Sequence, residues 1–554
     1  MADDLQVSVQ TPTPPVTPPP GPVRRGVPGN GGGARGRPDR DLVTRMAAAV
    51  LSGILLFLAF PPVDFGVLAF VALIPLLWAW RDAGPGRAAG LGFLTGLVFM
   101  GTLCSWVWYF GTVALVPFLV LQALYFAAAG AIVGGLAGLG VRSVWITAAA
   151  WTLLEVVRDR WPLGGFAWGD VGDAMHNTAA VRTVVGVGGV ALLSFVIVLV
   201  NGLLLDAGLA LRSRPRERGA VAFAVGGLAL VVVLVAVAPL SRSDIHRTGS
   251  LRFALLQGND QDRYLTPREI DSGYLTRRHL ALADKLRGRY ELIVFPESAL
   301  ETDPEHDPAL RARIVALAAR HHSAVLVNAI IPVPGHPGRF YNADRWYDPD
   351  GTLQGTYAKR HLVPFGEYLP FRNALGWIPQ TKQLKLDFLP GSSRRLFTLA
   401  GRRVAKGPPG SSRRLFTLAE HRVANIICFE NAFGEQVRPF VSSGAELIVV
   451  NTNNRSYRRS ANSAQHVALS QMRAAELGRP VLHASISGIT AVIDDRGAVD
   501  QRTTLFHNAT VTGSVSTMTG RTWYARFGDW VLWGSAVTLV GAFGGALARR
   551  RRPS

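Results

Sequence analysis

Two hydrophobic patterns divide this chain. Between residues 43 and 240, and again near residues 527–548, apolar residues form long runs with few charges. A helix needs about 20 apolar residues to cross a bilayer, and several of these runs approach that length. We therefore predict eight membrane spans, near residues 43–60, 65–81, 88–111, 113–140, 144–158, 181–211, 219–240 and 527–548.

The apolar runs between residues 241 and 526 are shorter and alternate with amphipathic stretches. Short apolar runs predict strands, and the amphipathic stretches predict helices. Alternating strands and helices are typical of an α/β domain. The strands are predicted near residues 252–257, 291–295, 324–328, 340–357 (a hairpin), 426–428 and 447–450, with two more that turn at 494–497. The helices are predicted near residues 275–286, 308–320, 435–441 and 461–476.

Both ends of the chain lack these patterns. Residues 1–42 combine a Pro/Thr run with a Gly/Arg-rich run, which predicts a disordered tail rather than a cleavable signal. Residues 549–554 form a short basic tail. The predicted organisation is a seven-span domain at 43–240, an α/β domain at 241–526 and a last span at 527–548.

Composition agrees with a membrane protein that carries a large soluble part. Of 554 residues, 49% are hydrophobic and only 17% are charged. A formal net charge of +20 would suggest nucleic acid in a soluble chain. Here much of the excess arginine flanks the apolar runs, which the positive-inside rule explains. The flanking arginines include Arg24, Arg25, Arg35, Arg37, Arg40, Arg45 and those within 212–218 and 549–552.

The arginines also predict orientation. Arg81, Arg87 and Arg142 lie in loops between predicted spans, on the same side as both chain ends. That side is therefore cytoplasmic, and residues 241–526 lie outside the cytoplasm. The loop at 159–180 also lies outside. Its aromatic residues fit an interfacial belt and a role in substrate access equally well.

The two cysteines occupy different settings. Cys104 lies within an apolar span and Cys428 ends a predicted strand, so we expect no disulfide between them. A helix that starts near Glu435 follows Cys428. A thiol near a helix start and a lysine is expected to have a lowered pKa, although most cysteines in apolar strands are inert core residues. No Cys/His spacing suggests a metal site.

Two further polar residues end or closely follow strands. Glu297 follows the apolar run 291–295, and Lys359 follows the hairpin. With Cys428 they supply a carboxylate, an ammonium and a thiol, the groups that thiol-dependent acyl transfer needs. Taken singly, Glu297 and Lys359 would be interpreted as surface residues or a structural ion pair.

These motifs carry a resemblance. The α/β domain resembles the nitrilase (carbon–nitrogen hydrolase) superfamily, and with eight spans around it the chain resembles the bacterial apolipoprotein N-acyltransferase family over residues 43–548. The matching segments are Leu256-Gln257-Gly258-Asn259, Phe295-Pro296-Glu297, Tyr341-Asn342, Lys359 through Pro370, Ile427-Cys428-Phe429-Glu430 and Asn451-Thr452-Asn453.

The resemblance implies a nitrilase-like sandwich and a role for each site residue. Glu297 would be the general base, Lys359 the oxyanion stabiliser and Cys428 the nucleophile. Glu367, Phe429 and Glu430 would support them. Phe429 departs from the tyrosine often found in the family and so lacks its hydroxyl. The best-known members have a tryptophan after the segment that matches Gln257-Gly258-Asn259. Here only Tyr264 is nearby, and it receives no role.

The resemblance also implies the partners. Cys428 would take an acyl chain from a phospholipid and pass it to the N-terminal S-diacylglyceryl-cysteine of a lipoprotein. The enzyme would be a monomer in the bacterial cytoplasmic membrane and would need no cofactor.

Two other functions stay open at this point. A membrane-tethered amidase or nitrilase would use the same triad with water as acceptor. A non-catalytic scaffold or transporter is the third possibility. The spans carry few charges, such as Glu155 and Asp206, which argues against an ion path.

One segment repeats. Residues 390–400 recur letter for letter at 409–419. Two copies are too few for a solenoid, so we interpret the repeat as a local tandem duplication in a surface hairpin.

The topology can be tested directly. Reporter fusions after Pro239 and after Arg549 should report opposite sides of the membrane, because one further span separates them. Activity of both reporters on the same side would contradict the eight-span arrangement.

Overall fold

The computed structural model describes residues 40–212, 218–259, 266, 268–269, 272–376, 387–392, 396–404 and 416–551. Most of the predicted tail, residues 1–39, and Tyr264 lie outside this range, as do parts of both repeat copies. Arg40 begins the first helix, three residues before the predicted start of the first span.

Helices form most of the first half of the chain and its end. Their bounds are α1 Arg40–Leu58, α2 Ala69–Ala72, α3 Ile74–Trp80, α4 Pro85–Leu103, α5 Thr112–Gly138, α6 Val144–Arg158, α7 Ala179–Arg182, α8 Val185–Arg212, α9 Arg218–Val237, α10 Tyr274–Ala283, α11 Pro308–His321, α12 Arg372–Leu375, α13 Gly434–Ser442, α14 Asn462–Leu477, α15 Trp523–Phe527 and α16 Trp530–Arg551.

Six helices in the described part of the chain are long and apolar enough to cross a membrane, namely α1, α4, α5, α8, α9 with its extension to Arg242, and α16. They coincide with six of the eight predicted spans. The run predicted at 65–81 is instead broken into a 3-10 turn, α2 and α3, and α6 has only 15 residues. The count of eight spans stays a prediction.

The strands lie between α9 and α15. Their bounds are β1 His246–Gln257, β2 Leu292–Val294, β3 Ala324–Pro332, β4 Arg339–Tyr347, β5 Leu353–Ala358, β6 Asp387–Phe388, β7 Leu396–Val404, β8 Phe416–Ile427, β9 Leu447–Thr452, β10 Val481–Ser485, β11 Ala491–Ile493, β12 Val499–Arg502 and β13 Ala509–Thr519.

The strands pair in the order β12-β11-β10-β9-β8-β7-β1-β2-β3-β4-β5, with β13 also on β1 and β6 also on β4. Two groups are parallel, β1-β2-β3 and β8-β9-β10. The predicted hairpin is β4 and β5, which pair antiparallel. The predicted site residues Glu297, Lys359 and Cys428 follow β2, β5 and β8. The pairing of the strands therefore determines where these three residues meet.

Alternation along β1 shows that the two halves of the sheet pack face to face. Leu251, Phe253 and Leu255 share a core with β8, β9 and β10. Ala254 and Leu256 point to the other face and share a core with α10 and α11. Since successive side chains of a strand point to opposite faces, the layers are helix, sheet, sheet and helix. The predicted α/β sandwich is confirmed.

Helix α14 lies between the sandwich and the membrane helices. Val467, Ala474 and Leu477 pack into the core of the sheet. Leu469, Met472 and Ala475 pack into the core formed by the membrane helices. A helix that is apolar on more than one face is expected to be buried on all sides. This helix joins the two parts of the protein into one body.

The repeat lies in a hairpin, as predicted. β7 holds the end of the first copy and β8 the end of the second, and the two strands pair antiparallel with Gly401 opposite Ala419. Residues 393–395 and 405–415 lie outside the described residues. The origin of the repeat in a tandem duplication stays a prediction.

Candidate active site

Cys428 occupies a sharp turn at the end of β8. The strand ends at Ile427, and a 3-10 helix runs from Cys428 to Ala432. The φ angle of Cys428 is +54°, a left-handed conformation that non-glycine residues adopt at an energetic cost. Such a turn directs the side chain off the end of the strand, and the thiol accepts a hydrogen bond of 3.3 Å from the Thr452 hydroxyl at the end of β9.

Glu297 and Lys359 meet at the same end of the sandwich. Glu297 follows β2, and Lys359 directly follows β5. The Lys359 ammonium lies 3.4 Å from the Glu297 carboxylate and 2.9 Å from that of Glu367. Lys359 is only 1% exposed. The thiol of Cys428 is hydrogen-bonded to Thr452, and the next residue, Asn453, donates its N–H to Glu297, so the three residues that the sequence singled out lie in one cluster.

The two carboxylates are bridged by an amide. Asn342 on β4 donates from Nδ2 to Oε1 of Glu297 at 2.7 Å and to Oε1 of Glu367 at 2.9 Å. The other oxygen of Glu297 accepts from the Asn453 backbone N–H at 2.7 Å. Glu297 is thereby held by donors on both oxygens. The sequence motif contained Asn342 but gave it no role.

A second row of buried residues orients that amide. Asn328 on β3 donates to Oδ1 of Asn342 at 2.8 Å and to Asp344 at 2.9 Å. Asp344 accepts from the NH₂ groups of Asn328, Asn425 and Asn451, and burial raises its pKa to about 7. Because Asn342 accepts the NH₂ group of Asn328 with its Oδ1, its own NH₂ group faces the two glutamates. Polar residues on otherwise apolar strands were the available signal for Asn328 and Asp344.

The thiol is not activated in the resting protein. Burial, followed by the Glu297 carboxylate, raises the pKa of Cys428 to about 12, while Lys359 and the Thr452 hydrogen bond act in the opposite direction. The predicted lowering of this pKa is therefore wrong. The prediction omitted the burial of the thiol, and α13, the helix expected to stabilise a thiolate, begins only at Gly434.

Lys359 keeps its charge. Burial opposes the ammonium form, but Glu297 and Glu367 outweigh burial and raise the pKa of Lys359 well above its ordinary value. The site therefore contains a fixed cation beside a neutral thiol. A cation held close to the sulfur can stabilise negative charge that develops during attack on a carbonyl.

Glu430 connects the lysine loop to the cysteine turn. Its carboxylate accepts hydrogen bonds from the backbone N–H groups of Ile427 at 2.9 Å and of Arg360 at 2.7 Å. It also accepts hydrogen bonds from the His361 N–H at 3.2 Å and from the Tyr357 hydroxyl at 2.9 Å. The residues on either side of Lys359 and the residue before Cys428 are thus fixed by one buried side chain.

Phe429 faces the membrane helices. Its ring lies 5.9 Å from Phe166, 6.4 Å from Trp168 and 4.9 Å from Phe433, measured between centroids. Of the aromatic residues in the loop at 159–180, Trp161 is 65% exposed, as an interfacial belt requires, whereas Trp168 is 4% exposed. The loop therefore contributes a buried wall next to the cysteine turn.

His466 on α14 was not anticipated. Its Nε2 lies 3.2 Å from the Cys428 carbonyl oxygen and 2.8 Å from Oδ1 of Asn431. Both partners are acceptors, so Nε2 carries the proton. Burial lowers the pKa of His466 to about 4, and the ring stays neutral. Among the described residues, no group of three or more His, Cys, Asp or Glu side chains is arranged to hold a metal ion.

Two family descriptions match the chain. Residues 52–203 match the apolipoprotein N-acyltransferase N-terminal domain, and residues 254–524 match carbon-nitrogen hydrolase. The apolipoprotein N-acyltransferase of Geobacter metallireducens is 30% identical over 93% of this chain and 98% of its own length. That of Methylococcus capsulatus is 32% identical over 92% and 96%.

This chain belongs to the apolipoprotein N-acyltransferase family. The predicted resemblance is confirmed, and the chain is a membrane-bound acyltransferase. A CN-hydrolase superfamily protein from Xanthomonas campestris has a TM-score of 0.35 and 19% identity, covering 53% of this chain and 97% of that chain. As the acyltransferase family match spans both parts, the membrane helices belong to the enzyme as much as the sandwich does.

Glu430 can be tested with two isosteric changes. In Glu430→Gln an NH₂ group must face either the Ile427 N–H or the N–H groups of Arg360 and His361, so a donor meets a donor. We expect a loss of about 1–3 kcal/mol in stability and a large loss of activity. Tyr357→Phe removes one donor and leaves three, so its loss should be about 1 kcal/mol or less.

Thermal unfolding and an acyl-transfer assay on both variants give the comparison. Equal losses in Glu430→Gln and Tyr357→Phe would show that Glu430 acts only through the tyrosine, contrary to its proposed position between two backbone segments.

Proposed function

We propose that this enzyme N-acylates the N-terminal S-diacylglyceryl-cysteine of apolipoproteins, with a phospholipid as acyl donor and a Cys428 thioester as intermediate. Glu297 acts as general base, Lys359 stabilises the oxyanion and Cys428 is the nucleophile. The observation that carries the proposal is the meeting of these three side chains beside a turn that packs into the membrane core.

The first half-reaction acylates the enzyme. The sulfur of Cys428 attacks an ester carbonyl of the phospholipid while Glu297 takes the thiol proton. Because the thiol is neutral at rest, proton transfer and attack occur together. The ammonium of Lys359 stabilises the tetrahedral oxyanion. The C–O bond then breaks, the proton passes from Glu297 to the leaving alkoxide, and lysophospholipid departs.

The second half-reaction consumes the thioester. The α-amino group of the diacylglyceryl-cysteine attacks the thioester carbonyl, and Glu297 accepts the proton that the amine loses. The C–S bond breaks to form the amide. The proton returns to the sulfur, which restores Cys428. The family's acyl donor and acceptor are thereby joined without any net redox change.

Glu367 and Glu430 position the reacting groups. Glu367 shares Lys359 and Asn342 with Glu297, so it fixes the ammonium and limits how far the base can move. Glu430 holds the backbone on both sides, as described above. Phe429 has no hydroxyl, and we propose that its ring lines the path of the acyl chain.

Packing against the membrane helices favours acyl transfer over hydrolysis. Phe429, Ala432 and Phe433 belong to the same apolar core as the membrane helices. An amidase needs its membrane part only as an anchor, whereas an enzyme with a lipid substrate needs its nucleophile at the membrane. Excluding water from the thioester lets the amine compete as acceptor.

We also propose the location and state of the enzyme. The α/β part faces the extracytoplasmic side of the bacterial cytoplasmic membrane, where diacylglyceryl lipoproteins are presented, and the chain acts as a monomer. The arginine pattern supports this orientation.

The acyl-enzyme gives the decisive test. With phospholipid and no lipoprotein, wild type should gain the mass of one acyl chain. Cys428→Ala should gain none, and Glu297→Gln should gain little because the thiol proton has no base. Lys359→Ala should acylate about 10²–10³ times more slowly, the loss typical of one oxyanion donor.

The second cysteine provides a matched control. Cys104 is a free, buried cysteine in the membrane part, and Cys104→Ala should acquire the adduct like wild type. Intact-mass spectrometry measures all four variants. An adduct on Cys428→Ala, or continued lipoprotein acylation by that variant, would refute the nucleophile assignment.

A further inference from the structure

One buried glutamine on α14 connects the membrane helices with the residues around the nucleophile. Gln465 is 3% exposed and directly precedes His466. It lies on the side of α14 that faces the membrane helices. The mechanism assigns it no function.

The amide of Gln465 uses its full hydrogen-bonding capacity. Its oxygen accepts the indole N–H of Trp106 at 3.0 Å and that of Trp168 at 2.9 Å. Its NH₂ group donates to the backbone oxygens of Pro61 at 3.1 Å and Leu103 at 3.0 Å. An amide has two acceptor sites and two donor hydrogens, so all four are used. Every partner belongs to the membrane part.

Trp168 packs against the residues around the cysteine turn. The Trp168 ring stacks on Phe429 at 6.4 Å with an interplanar angle of 28°, and it lies 5.7 Å from the ring of His466. Phe429 is the neighbour of Cys428, and His466 contacts the Cys428 carbonyl oxygen. One indole therefore packs against two groups that hold the nucleophile.

Trp106 packs against the loop that follows β9. The Trp106 ring lies 4.9 Å from the ring of Tyr457. That loop supplies the Asn453 backbone N–H that binds the general base Glu297. Gln465 thus sets the position of two rings, one beside the nucleophile and one beside the loop that holds the base.

We propose that Gln465 is a positioning residue for acylation, and that with Trp106 and Trp168 it forms a Gln465 cluster through which the membrane helices fix the Cys428 turn. The inference rests on the proposed role of Cys428. Its consequence is that the orientation of the reacting sulfur depends on contacts with the membrane part as well as on those within the sandwich.

The same helix offers a matched control. Gln471 is also buried on α14, and its NH₂ group donates to the Gly497 carbonyl oxygen at 2.9 Å and to Oδ1 of Asn177 at 3.2 Å. It bonds the 171–177 segment of the membrane part but contacts none of the catalytic residues. Gln465→Met and Gln471→Met each replace one buried amide by an unbranched apolar side chain.

The experiment compares both variants as full-length protein in phospholipid nanodiscs. Single-turnover thioester formation is followed by intact mass at several donor concentrations, together with the melting temperature. We expect similar melting temperatures for the two variants, but a maximal acylation rate about 10–100 times lower in Gln465→Met alone, since small misplacements of reacting groups have effects of that size. The KM for the donor should change little.

A variant that removes a single hydrogen-bond donor covers the case in which Gln465→Met fails to fold. Trp168→Phe removes one N–H donor and keeps an aromatic ring on Phe429, and it should slow acylation about threefold to tenfold, less than a full misplacement would. Equal rates in the two glutamine variants, or an unchanged rate in Trp168→Phe, would overturn the inference. Absence of an adduct in wild type would instead refute the proposed function.

Discussion

The burial of one ammonium group determines the rest of the active site. Lys359 is almost fully removed from water, and an unpaired buried charge costs several kcal/mol. Glu297 and Glu367 therefore lie within ion-pair distance of it. Together with burial, the Glu297 carboxylate keeps the thiol protonated. The site consequently holds a neutral thiol beside a carboxylate and has no exposed thiolate that could react with electrophiles.

A second constraint is the position of α14, which has the sheet on one side and the membrane helices on the other. The polar side chains of a helix in this position must find their hydrogen-bond partners within the protein. Gln465 does so toward the membrane part, and His466 does so toward the cysteine turn. The sandwich and the membrane helices thus share a boundary at the Cys428 turn, which is where the proposed reaction requires a lipid donor to meet the thiol.

Glu297, Lys359 and Cys428 could be singled out from the sequence because polar residues follow apolar runs, and the structure brings the three together. Their catalytic roles stay a prediction. The hydrogen bonds that Asn328 makes to Asn342 and Asp344 could not be predicted, because no local pattern shows which strands become neighbours. The direction of the pKa shift of Cys428 was also predicted wrongly, since the burial of its thiol depends on packing by distant segments. The breaks within 65–81 were missed because apolar composition does not fix helix length, whereas α6 has the bounds of the run predicted at 144–158.

In the proposed reaction, one thioester on Cys428 links the lipid donor to the lipoprotein acceptor. The most direct measurement is a chase experiment. Enzyme is acylated with isotope-labelled phospholipid, freed of excess donor and mixed with a diacylglyceryl-cysteine peptide. We expect the label to leave Cys428 and to appear as an amide on the peptide amino group in equal amount. Label that stays on the enzyme, or that is released as free fatty acid, would contradict transfer through a shared thioester.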